Sequence, residues 1–115
     1  MTPVTIDDVR AVLAPLPRSY EVLVHDRVKF RVGSIVYVAF SRDETDMGFA
    51  YPKEERDALV AGEPEKFFLP GTSDLRFNWV CAHLSALDVD EMTELVLEAW
   101  RMVVPKFLAR QQLGS

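Results

Sequence analysis

One cysteine, Cys81, and two histidines, His25 and His83, are all that the 115 residues hold of those types. A lone cysteine excludes an internal disulfide framework and fits a reducing compartment. Neither histidine has a second His or Cys at the spacing that holds zinc, so no metal is expected. Glycine is scarce too, at five residues. None of the five forms a Walker-type or G-x-G-x-x-G loop, so no phosphate cradle and no cofactor are read. No apolar run approaches the roughly 18 residues that cross a bilayer, and no membrane partner is expected. MTPVTIDDVR at the N-terminus lacks the basic-then-apolar pattern of a secretory signal, leaving the cytoplasm as the expected location. Positive charge is the last shortage. Thirteen Lys and Arg face 18 Asp and Glu, a net charge of −5. Proteins that coat phosphate backbones usually carry the opposite balance, so any nucleic-acid role needs a local basic patch.

What is present reads as one domain over 1–110, followed by a loose tail at 111–115. Thr5 with Asp8 resembles a capping box, and Ile6, Val9, Val12, Leu13 and Leu16 recur at helical spacing. Pro15 and Pro17 stop that helix. Glu21 to Val24 reads as a strand, and Arg27 to Val32 alternates strictly between polar and apolar. Gly33-Ser34 suits a type II′ turn into a second β run, Ile35 to Phe40. Such a turn implies a register: Val32 faces Ile35, Arg31 faces Val36, Phe30 faces Tyr37 and Lys29 faces Val38, with Val28 opposite Ala39 and Arg27 opposite Phe40. It makes one hairpin face apolar, and puts Arg27, Lys29 and Arg31 on the other beside Val36, Val38 and Phe40.

Thr45 to Tyr51 is strand-like, and Pro52 opens a helix over Lys53 to Ala61 that buries Ala58, Leu59 and Val60. Phe67-Phe68-Leu69 is either a short strand or a plug over the core. Pro70 to Ser73 is a loop, and Arg76 to Leu84 a last strand. Asp88 starts a final helix with a stripe of Met92, Leu95, Val96, Ala99, Trp100, Val103 and Phe107, kinked or frayed near Pro105. The order α-β-β-β-β-α-β-α points to an α+β fold, a two-layer sandwich of an antiparallel sheet with helices.

Enzymatic chemistry is not legible. Cys81 sits between Val80 and Ala82 with no activating partner beyond a conceivable pairing with His83 on its own strand face. No G-x-S-x-G elbow occurs, and the acidic clusters fall in turns or on exposed helix faces. Two features remain. Arg27, Lys29 and Arg31 form a basic strand face that either lies along a phosphate backbone or merely keeps a sheet soluble. Arg76, Asn78 and Trp79 follow the Pro-Gly loop, where Trp79 is either a binding anchor or a core residue.

Four segments together resemble the MmcQ/YjbR-like family. They are Leu16-Pro17, the hairpin Phe30 to Tyr37, Phe49-Ala50-Tyr51-Pro52, and Asn78-Trp79-Val80 followed by Glu98-Ala99-Trp100-Arg101. The resemblance implies an α+β fold similar to secretion chaperones and frataxin-like domains, and a "double wing" DNA-binding role. The family pattern often has lysine at the position of Ala50 and three residues before the tryptophan, where Arg76 stands here. A Ser-Tyr pair is replaced by Ala99-Trp100. The expectations are therefore twofold. One is contact with DNA through Arg27, Lys29 and Arg31, assisted by Lys53 and Arg76. The other is self-association or binding of another protein through Asn78, Trp79 or Trp100.

Overall fold

Thr5 opens helix α1 (Ile6–Leu13) with a complete capping box: its hydroxyl accepts from the Asp8 amide, and the Asp8 carboxylate accepts from the Thr5 amide at 2.9 Å. That box satisfies two of the amides a helix start leaves unpaired. The computed structural model describes residues 3–114. After α1 come strands β1 (Ser19–Val24), β2 (Arg27–Val32), β3 (Ile35–Phe40) and β4 (Asp46–Ala50), then α2 (Lys53–Gly62), β5 (Phe67–Phe68), β6 (Trp79–His83), α3 (Val89–Arg101) and α4 (Lys106–Leu113). The strands form one antiparallel sheet in the order β1-β2-β3-β4-β6-β5. α1 packs on α3, and α3 lies against β3 and β4, so the core fills a single layer between helices and sheet. The α+β sandwich and its antiparallel sheet are as expected, with Phe67-Phe68 adding a short outer strand and α4 an extra helix.

The two tight, two-residue hairpin turns follow their residues. His25 and Asp26 carry φ of 52° and 64°, the paired left-handed conformation of a type I′ turn. In the next turn Gly33 alone has positive φ, 60°, as a type II′ turn needs.

The register expected of β2 and β3 holds for only its first two pairs, Val32 opposite Ile35 and Arg31 opposite Val36. A bulge then intervenes: Phe30 pairs with Val38 and Lys29 with Ala39. Tyr37 is the extra residue, and it is buried together with Val38. An unbulged strand cannot turn two successive side chains to one face; a bulge can. The consequence corrects the expected assignment of faces. Val38 and Phe40 belong to the core face, where Phe40 meets Phe30 edge-on at 6.4 Å, while Ala39 moves beside Lys29 on the opposite face.

Three further differences have plain causes. α2 exposes Ala58 and has Arg56 as its one buried residue, because the polar contacts of Arg56 join the part-buried Leu59 and Val60 in docking it. The last strand starts at Trp79, not Arg76, since Thr72–Asp74 forms a 3₁₀ turn and the chain stays irregular to Asn78. Pro105 ends nothing: α3 stops at Arg101, and Pro105 caps a new helix. A proline is tolerated there because the first helical amides lack partners anyway. Residues expected in a loose tail thus form the last turn of α4, closed by Gly114 at φ 78°. Ser115 lies outside the described residues. Phe107, placed in the apolar stripe by its spacing, is 56% exposed because the stripe is interrupted before it.

Candidate nucleic-acid interface

Helices cover one face of the sheet. Its other face carries, strand by strand, Tyr20, Val22 and Val24 on β1, then Arg31, Lys29 and Arg27 on β2, which are their direct partners. Next come Val36 and Ala39 on β3, Asp46, Gly48 and Ala50 on β4, and Trp79, Cys81 and His83 on β6. One cross-sheet row runs Lys29, Ala39, Gly48, Cys81, Phe68. Its middle members are small, so a basic bank and an aromatic bank stand either side of a low floor. Together with the loop before β6 they enclose a trough of about 840 Å³ whose lining includes Arg27, Lys29, Gly48, Phe77 and Trp79.

The indole of Trp79 packs closely against Gly48. A methyl group at Gly48 would stand 2.5 Å from the indole nitrogen and 2.8 Å from two ring carbons. Only glycine lets the ring come this close to the strand. A single glycine inside an apolar strand is the sequence signal for such an approach, and the alternation pattern by itself does not register it.

Arg56 holds the trough's outer wall. Its guanidinium donates to the carbonyls of Leu75 (2.9 Å), Trp79 (3.0 Å) and Phe77 (3.1 Å). Asn78 fastens the same segment to α2, its side-chain oxygen accepting from the Lys53 amide at 3.0 Å. Lys53 Nζ reaches back to the Arg76 carbonyl at 3.3 Å, and the Arg76 guanidinium covers the half-exposed Phe77 ring at 4.7 Å. Lys53, Arg76 and Asn78 therefore form one cluster. Asn78 lines the trough, whereas Lys53 and Arg76 stand outside its lining.

Trp100 is a correction. It is completely buried, with its indole N–H donating to the Pro17 carbonyl at 3.1 Å, and presents nothing to a partner. The substitution of Ala99-Trp100 for a polar pair is absorbed by the core, since Ala99 is equally buried.

The basic row is free of the ion pairs that hold some of the other cations. Arg10 is clamped by Glu21 and Asp7, and Lys66 by Glu63 and Glu91. Among the described residues, Arg27, Lys29 and Arg31 make no ion pair. Across the trough, the His83 Nδ1 meets Asp46 at 2.8 Å and its ring stacks on Phe68 at 4.6 Å. Cys81 is half-buried between them. Burial, with Asp46 and Asp74 nearby, pushes its thiol up to about 11. Activation of a nucleophile needs the opposite shift, so the carboxylate near His83 does not make Cys81 a catalytic thiol. Among the described residues no three His, Cys, Asp or Glu side chains gather into a metal-binding cluster, and no helix is long and apolar enough to cross a membrane.

An antiparallel sheet with helices on one face and an uncovered basic and aromatic surface on the other defines the class of this protein. The family model described as YjbR matches residues 14–102, and the chain belongs to that family. A solved structure, Deinococcus radiodurans protein DR2400 with the family-model domain DUF419, is similar with a TM-score of 0.77 and 22% identity, over 96% of this chain and 88% of that one. That likeness carries the fold. No curated protein matches.

Proposed function

We propose that this domain binds nucleic acid through the uncovered sheet face, with Arg27, Lys29 and Arg31 contacting phosphates. The observation that carries the reading is the unpaired row itself: three cations at alternate positions of one strand, in a chain with an excess of carboxylates. Evenly spaced cations on a strand stand about 6.6 Å apart, close to the separation of successive phosphates in an extended strand. Phosphate contacts of this kind position a ligand without reading its sequence. Binding to a labelled oligonucleotide should weaken with salt at a log–log slope of about −2 to −3, the value for three neutralised phosphates. It should be lost in the Arg27→Ala/Lys29→Ala/Arg31→Ala variant. No binding at low salt, or undiminished binding by the triple variant, ends the proposal.

A second reading has one specific support. β1 is an edge strand, and its Leu23 and Tyr20 are 69% and 45% exposed. Such an edge can pair with a second copy or another protein. Light scattering that finds a strict monomer at high concentration removes the self-pairing form.

A further inference from the structure

We infer that the ligand of this face is a single strand, with one unstacked base lying on the Trp79 indole. This rests on the nucleic-acid reading above and goes further, because it selects the class of nucleic acid. Trp79 packs against Gly48 and lines the trough while staying only part-buried, so part of its ring is open to a ligand there. A ring set inside a trough can stack only on a base that leaves its own neighbours, and duplex bases do not.

The dimensions agree. Lys29 and Gly48 lie two strands apart in one row, about 9.6 Å at the usual spacing, with only the Ala39 methyl between them. A nucleotide with its base on Trp79 and its phosphate near Lys29 fits across that span. Charge orients it. Asp46 and Asp74 line the aromatic side of the trough, Arg27 and Lys29 the opposite bank. Phosphates are repelled from the first and drawn to the second, while carboxylates beside the base can accept from its exocyclic amines. Phe77, half-exposed under Arg76, offers a second ring on the same wall.

The test compares a thymidine oligonucleotide with a duplex of equal length, at low salt, on the full chain. Tryptophan fluorescence reports Trp79 directly, since Trp100 is buried in the core. The oligonucleotide should quench it and bind at least tenfold tighter than the duplex. By anisotropy of labelled oligonucleotide, Trp79→Leu should lose tenfold or more, whereas Trp79→Phe, which keeps a stacking ring, should lose less than threefold. Gly48→Ala should mimic Trp79→Leu by lifting the indole, with the thermal midpoint of each variant confirming its fold. Equal affinity for duplex, or single-strand binding unchanged in Trp79→Leu, overturns the inference and leaves the phosphate-contact proposal standing. Absence of binding to either oligonucleotide sinks both.

Discussion

Removing Arg56 tests whether the wall of the trough is held by one side chain. Arg56 is 8% exposed, and its guanidinium makes three bonds of 2.9–3.1 Å to the backbone of Leu75, Phe77 and Trp79. A bond from a charged donor contributes about 1.5–3 kcal/mol net, which would sum to about 4.5–9 kcal/mol if the three were independent. They are not, because one buried guanidinium loses its hydration once for all three. Its Nε, buried without a partner, reduces the gain further. In Arg56→Ala the desolvation cost vanishes, and water entering the space satisfies some of the carbonyls. What remains is about 3 kcal/mol, the lower range for breaking a buried charged network. For a domain of this size that lowers the thermal midpoint by about 10–15 °C. Arg56→Lys keeps the charge but offers a compact ammonium where a planar fork met three acceptors, so it should recover less than half of the loss. Urea unfolding of the three proteins, with slopes compared to confirm two-state behaviour, gives the numbers. An Arg56→Ala variant within about 1 kcal/mol of the parent refutes the reasoning, as does a lysine that restores full stability.

Cys81 should resist alkylation. With the thiol pushed up to about 11, the folded protein at pH 8 holds about a hundredfold less thiolate than an unperturbed cysteine. Iodoacetamide labelling followed by mass should be far slower in buffer than in urea; equal rates would mean an accessible, ordinary thiol. Tyr37 makes stability fall in alkali. Burial pushes its phenol up to about 12 against the Ser19 bond that favours ionisation. The folded state therefore favours the neutral phenol. Its contribution is complete below the unfolded value near 10 and is lost as pH rises through about 12. Unfolding free energies measured from about pH 9 to 12 in a Cys81→Ala background should decline more steeply with Tyr37 than with Tyr37→Phe. Parallel curves would contradict the assignment.

How much of the fold and of the trough is legible in the sequence depends on the range of the interactions involved. The capping box, the Gly33-Ser34 turn and the starts of the first three helices lie within four or five neighbouring residues, and there local chemistry decides. The expected register of β3 fails at Tyr37 because the decisive preference is not local. Tyr37 is drawn inward to fill the core and to share a hydrogen bond with Ser19, 18 residues earlier. Period-two alternation has no means of expressing a skipped residue. Arg56 is hidden for a similar reason. Its acceptors are backbone carbonyls, which carry no residue-type signal, and its own surroundings in sequence, Glu55 and Asp57, read as a solvated face. The basic row is legible because alternation survives intact along β2 itself. Its neighbours are not, since the bulge in the adjoining strand exchanges Phe40 for Ala39 and so turns a ridge into a floor.

Net charge, which argues against a polyanion ligand when taken over the chain, has a different weight at this face. Nine of the 18 carboxylates lie on helices, Asp7 and Asp8 on α1, Glu54, Glu55 and Asp57 on α2, and Asp90, Glu91, Glu94 and Glu98 on α3. The sheet face carries Arg27, Lys29 and Arg31 on the far side of the core from those on α1 and α3. The molecule measures 34 × 30 × 29 Å. Charges on opposite layers are separated by more than one screening length, about 8 Å at physiological ionic strength, and across a low-dielectric core. A phosphate approaching the trough is thus governed by Arg27 and Lys29 in its lining, with Arg31 farther along the strand, and by Asp46 and Asp74 within it. The acidic helices contribute little at short range, and they disfavour approach from the other side. A chain can be acidic in sum and still present one face to a phosphate backbone, provided enough of its carboxylates lie beyond screening distance of that face.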